Sequence, residues 1–160
     1  MTTSPYPPID HYGFIADCHS AALVGRSGSI DWCCMPRLDS NSCFGRILDW
    51  ERAGYCRIAP SAQHEIRRGY RQDSLVLDTI FETGSGRVRL TDCFTMRAGG
   101  AHNPHQQLLR VVEGLSGSIE LTVTIAARFD MGAVKPWLRR YRKKAHIALG
   151  GCPCGVDIQW

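Results

Sequence analysis

The chain has 160 residues, 44% apolar and 21% charged, with a net charge of +4. That is enough for one compact domain with its own core and too little for two, and the balance excludes both a disordered chain and a fibrous repeat. No apolar run approaches the roughly 20 residues that span a bilayer, and the start lacks a basic segment followed by an apolar one, so neither a membrane span nor export by a signal peptide is expected. A cytoplasmic location is the expectation.

Short strands are predicted at 13–17 and 21–24. "GRSG" at 25–28 then supplies two glycines for a tight reversal into a strand at 29–34. In "IDWCCMP" successive side chains point to opposite sheet faces, so Cys33 and Cys34 cannot both chelate one metal from a regular strand. Pro36 must end the ladder, which releases Arg37, Leu38, Asp39 and Ser40 into a loop, where Arg37 and Asp39 face a partner or each other. The segment "SNSCFGRILDW" is predicted as one short helix, with Ser40 or Ser42 as cap and Phe44, Ile47 and Leu48 on one face.

Further strands are predicted at 55–59 and 65–71. "SLVLDTIFET" and "RVRLTDCFTMR" flank "GSG" at 84–86 as a hairpin, with Val88, Leu90 and Phe94 on its buried face. "GGAHNPH" at 99–105 reads as a loop. "QLLRVVEG" and "SIELTVTIAARF" read as a second hairpin, in which Ile119, Leu121, Val123 and Ile125 share one face. Many short strands separated by Gly and polar turns predict an all-β chain, an antiparallel β-sandwich.

Candidate chemistry is sparse. Eight cysteines (Cys18, Cys33, Cys34, Cys43, Cys56, Cys93, Cys152 and Cys154) lack zinc-site spacing, so they read as free thiols, with "CPC" at 152–154 the best metal alternative. No metal and no cofactor is expected. Glycoside hydrolysis needs two carboxyl groups across the scissile bond, and Asp31, Asp39, Asp49, Asp73, Asp78 and Asp92 are read instead as turn formers, caps or arginine partners. Asp17, His19 and Ser20 are neighbours in sequence, which is not the geometry of a catalytic triad. Five positive charges fall at 139–144, leaving the rest of the chain nearly neutral; with no nucleic-acid motif elsewhere, that run reads as a solvated connection.

The stretch from "YPPIDHYGFIADCHSAALVGRSGSIDWCCMPRLDS" onward resembles the trehalase-like N-terminal domain of bacterial glucoamylase-like and trehalase-like proteins of glycoside hydrolase family 15. The resemblance continues through "RRGYRQDSLVLDTIFETGSGRVRLTDCFTMR" and "PHQQLLRVVEGLSGSIELTVTIAARFDMGAVKPW", over residues 6–137, and fades across 138–160. It departs at Cys33, where the family has an apolar residue, and at Leu38, where it has an aromatic one. The resemblance implies a β-sandwich of the supersandwich type, packed against an (α/α)₆ barrel that carries the catalytic glutamates. Twelve helices of about 11 to 12 residues would alone need some 140 residues, so that barrel is absent here and no catalytic residue carries over. On this reading 1–160 is a single domain with an incomplete C-terminal end, inactive alone, which meets an α-glucoside such as trehalose or an α-glucan only through the helical catalytic domain. Trp32, Pro36, Arg37 and Asp39 are the expected domain interface. An open sheet edge would favour self-association; the alternative function is a stand-alone carbohydrate-binding or protein-interaction module.

Overall fold

The computed structural model describes residues 4–96, 107–141, 145–149 and 155–157, with side chains up to Trp137. The loop at 99–105 and the side chains of the basic run and of Cys152 and Cys154 lie outside the described residues.

Two antiparallel sheets build the sandwich. The larger contains β1 (Tyr12–Ala16), β2 (Ala21–Gly25), β3 (Ser29–Cys34), β4 (Ser42–Phe44), β5 (Tyr55–Pro60) and β10 (Leu121–Ala126), in the order β1-β2-β3-β5-β10, with β4 also on β3. The smaller has the order β6 (Glu65–Tyr70), β7 (Leu77–Thr83), β8 (Gly86–Phe94) and β9 (Leu108–Gly117). A separate three-stranded sheet joins β11 (Trp137–Tyr141), β12 (Ala145–Leu149) and β13 (Gly155–Asp157).

Period-two alternation sets the inner faces. Ile15, Ala22, Val24, Ile30 and Cys33 of the larger sheet meet Leu77 and Phe94 of the smaller in one cluster, and Ile58 and Ala59 meet Phe81, Val88 and Leu90 in a second. Ile30 and Cys33 are three residues apart yet share this core. Leu23 pairs with Trp32 and Val24 with Ile30, so β3 carries one extra residue, Asp31, and this bulge shifts the alternation by one. Cys33 and Cys34 do lie on opposite faces, Cys33 beside Ala22 in the core and Cys34 beside Ala21 outside it. The ladder of β3 ends at Cys34, before Pro36, as predicted.

Two expectations fail. Residues 40–50 form no helix: Ser42, Cys43 and Phe44 are all buried and extended against β3, and the chain then turns, with Leu48 N–H donating to Gly45 C=O at 2.8 Å. Three consecutive buried side chains cannot occupy one helical face, and pairing with β3 satisfies their backbone. The helical turns among the described residues are three-residue 3₁₀ segments at Ile9–His11 and Asp130–Gly132. The second expected hairpin is also absent, because β9 pairs with β8 and β10 with β5, so residues 118–120 cross from one sheet to the other. Ile119, Leu121 and Ile125 of the expected face pack on the two clusters, while Val123 is exposed. The first hairpin forms as predicted, turning through Gly84 and Ser85 with Thr83 opposite Gly86.

Side chains staple the sheets. Arg110 of β9 donates to Asp92 at 2.7 and 3.2 Å, to Cys56 C=O at 2.7 Å and to Gly28 C=O at 2.8 Å. It thereby ties the smaller sheet to β5 and to the β2–β3 turn. Arg68 of β6 donates to Val24 C=O at 2.9 Å.

Candidate docking face

Two-layer sandwiches bury one face of each sheet and expose the other to water, and polar residues normally cover the outer face. The larger sheet departs from this. Phe14 pairs with Leu23 and Leu23 with Trp32, so three apolar side chains form a continuous row across the outward side of β1, β2 and β3. Phe14 is 47% exposed, and Leu23 and Trp32 are half-buried.

Next to this row the outer face is covered from within the chain. The bulge places Asp31 beside Trp32, buried, where it accepts hydrogen bonds from Tyr12 Oη at 2.9 Å and Ser29 Oγ at 2.5 Å. Arg46 lies 3.9 Å from the same carboxylate, its guanidinium held between the rings of Trp50 and Tyr55, each centroid 3.9 Å away. Tyr6 packs edge-on against Trp50 and its hydroxyl accepts the Trp50 backbone N–H at 3.2 Å. Burial, and after it the hydrogen bond to Asp31, push the Tyr12 phenol above its ordinary range.

The other expected interface residues follow the row's third strand. Pro36, Arg37, Leu38 and Asp39 are exposed on the loop that leaves β3. Of the two outcomes open for Arg37 and Asp39, the structure shows them facing each other, in a bidentate pair at 2.9 and 3.0 Å. Leu38 N–H donates to His19 C=O at 2.9 Å, which fastens this loop to residues 17–20. Trp32 of the expected interface thus lies in this row, together with Phe14 and Leu23, which were not among the expected residues. Their signal was the register of two short strands, which no single-strand pattern reveals.

Five of the six aspartates weighed for hydrolysis, Asp31, Asp39, Asp49, Asp78 and Asp92, have partners within the chain. Asp92 pairs with Arg110, Asp78 with Arg71 and Thr91, and Asp49 accepts the N–H groups of Glu51 and Arg52. Asp17 Oδ1 accepts the N–H groups of His19 and Ser20 while Ser20 Oγ donates to Cys34 C=O, an Asx turn and no triad. Among the described residues no group of three His, Cys, Asp or Glu side chains is placed to hold a metal, and Cys18, Cys33, Cys34, Cys43, Cys56 and Cys93 form no disulfide. No helix among them is long and apolar enough to cross a membrane.

A family model described as "Trehalase-like, N-terminal" matches residues 2–155. A trehalase of Mycolicibacterium smegmatis is 35% identical over 144 residues, covering 79% of this chain and 21% of that protein. A trehalase of Mycobacterium tuberculosis is 33% identical over 142 residues, with the same coverage, and one of Thermoplasma volcanium 34% over 143 residues, covering 88% of this chain and 23% of that protein. The chain therefore spans about a fifth of the length of these curated relatives. No solved structure matches it.

Proposed function

The chain belongs to the trehalase-like N-terminal family, and on that premise we propose that it is a single noncatalytic β-sandwich domain of a glycoside hydrolase family 15 trehalase or glucoamylase. It packs against and supports a helical catalytic domain that hydrolyses α-glucosidic bonds, in a reducing cytoplasm that suits the six described cysteines, none of which is in a disulfide. The observation that carries this reading is the Phe14–Leu23–Trp32 row, an apolar strip on the side of the larger sheet that faces away from the smaller one. Covering an exposed side chain of this size contributes about 1.5–3 kcal/mol, which gives the row its reason to meet a partner. The pair of Arg37 and Asp39 on the loop that leaves β3 fixes orientation more than affinity, as exposed charges do.

Coexpression with the rest of a relative, such as the Mycolicibacterium smegmatis trehalase without its own N-terminal fifth, tests the proposal. Copurification and glucose release from trehalose or maltose are expected from the pair, and no glucose from the purified chain alone. Turnover by the chain alone would overturn the noncatalytic reading, and copurification indifferent to Phe14→Ser would overturn the docking face. One observation favours a second reading, a carbohydrate-binding module: Phe14 and Trp32 place two aromatic rings on an open face. That reading requires trehalose or maltose to change Trp32 fluorescence in the isolated chain.

A further inference from the structure

The two flanks of the sandwich are finished differently. On the flank of β1 and β6, the Tyr70 hydroxyl accepts the Phe14 N–H at 2.8 Å and donates to the Phe14 C=O at 2.9 Å, standing in for a neighbouring strand. The edge strand β6 itself carries Glu65, Arg67 and Arg68, charges of the kind that discourage pairing. The opposite flank is guarded less, because the two charges of its edge strand are engaged within the sheet pair, Arg110 with Asp92 and Glu113 with Arg89. β9 is the longest strand and contains neither Pro nor Lys, and among the described residues only β8 pairs with it. Leu109, Val111 and Val112 are 39%, 44% and 42% exposed. Val112 shares the inner face with Leu90, its partner on β8, and the described residues cover it only in part.

Register fixes which backbone groups are free. Thr95 N–H donates to Gln107 C=O at 2.9 Å, which makes that pair a hydrogen-bonded one. In an antiparallel ladder such pairs alternate, so Cys93 with Leu109, Thr91 with Val111 and Arg89 with Glu113 are bonded as well. The N–H and C=O groups of Leu108, Arg110, Val112 and Gly114 therefore point away from β8, toward the open edge.

We infer that this edge pairs with a second copy of itself: two chains join β9 to β9 antiparallel about a two-fold axis at Val111, fusing their smaller sheets into one. Val111 is the middle of the regular stretch 108–114, which ends where the β8–β9 register shifts. Centred there, each outward-pointing residue meets another, Leu108 with Gly114 of the second copy and Arg110 with Val112. Length and charge together select this phase, since an axis at Leu109 or Val112 would pair fewer residues of that regular stretch. Arg110 and Glu113 are the charged residues of β9, and an axis at either would set like charges face to face, whereas an axis at Val111 sets Arg110 against Val112 and Glu113 against Leu109. The interface shares no residue with the Phe14–Leu23–Trp32 row, which belongs to the other sheet, and holds whether or not that row docks a catalytic domain.

Sedimentation velocity of the full chain over a concentration series tests this. A dimer is expected. Val111→Lys, which sets two ammonium groups against each other on the axis, should weaken dimerisation at least tenfold with an unchanged circular dichroism spectrum, and Phe14→Lys should leave it intact. Hydrogen exchange gives an independent reading: the amides of Arg110, Val112 and Gly114 are expected to be protected in the dimer and to exchange freely in Val111→Lys. A monomer at every concentration, or a dimer lost with Phe14→Lys and kept with Val111→Lys, would overturn the inference. So would protection of those amides in a monomer, which would mean that the edge is covered from within one chain.

Discussion

Asp92 shows what a charge buried in a β-sandwich demands. It sits on the inner face of β8, fully buried in the same alternation as Val88, Leu90 and Phe94, and Arg110 answers it from β9. Burial alone would lower the arginine's pKa, but Asp92 beside it raises it above the ordinary value, so the guanidinium stays charged. Removing one member leaves the other uncompensated. Asp92→Leu is therefore expected to cost about 3–5 kcal/mol in urea unfolding, and Asp92→Leu with Arg110→Met less than Asp92→Leu alone.

Thiols and a phenol set the alkaline limit. Burial raises the pKa of Cys34, Cys56 and Cys93, and burial followed by the Asp31 hydrogen bond raises that of Tyr12. A group whose folded pKa lies above its unfolded value stabilises fully below the unfolded value, about 8.5 for a thiol and about 10 for a phenol, and that stability is lost as pH rises through the folded value. Cys43, lowered first by its hydrogen bond with Cys33, has the opposite sign and offsets part of the loss. The urea midpoint should accordingly be flat between pH 6 and 8 and fall by pH 10. Cys56→Ala should flatten that fall; a fall as steep as in the parent would show that Cys56 is not among its causes.

At the scale of elements, edges matter more than interiors. Tyr70 protects the β1 edge with one hydroxyl that accepts the Phe14 N–H and donates to its C=O. Tyr70→Phe should cost about 1 kcal/mol, since water can replace an exposed bond, and should accelerate exchange of the Phe14 amide well above that of core strands. Strand positions were legible in the sequence because a half-buried strand writes its inner face with period two, as β8 does with Val88, Leu90 and Phe94. Partner choice was not. The link at 118–120 looks like a hairpin turn, yet it leads to the other sheet, because β9 finds β8 and β10 finds β5. The bulge at Asp31 was equally hidden: one extra residue in β3 turns Asp31 and Trp32 to the same outer side, and only pairing with β2 reveals it.

For the whole molecule the question is what covers the outer face of the larger sheet. Trp32 was singled out from its strand and loop, but it stands in a row whose other members, Phe14 and Leu23, come from separate strands, and only the assembled register brings them together. Stability and docking should then separate by substitution. Phe81 is fully buried between the sheets, and Phe81→Ala should cost about 3–5 kcal/mol whether or not a partner is present. Phe14 makes the opposite contrast, since about half of it already meets solvent in the isolated chain. Phe14→Ser should change the urea midpoint of the isolated chain little, because an exposed substitution falls near ±0.5 kcal/mol. In coexpression with a helical partner the same change removes an anchor of the row, and copurification should drop at least tenfold, with glucose release falling in parallel. Equal effects of Phe14→Ser on the isolated chain and on the pair would mean that Phe14 serves only the fold, and the outer face would lose its claim to be the docking surface.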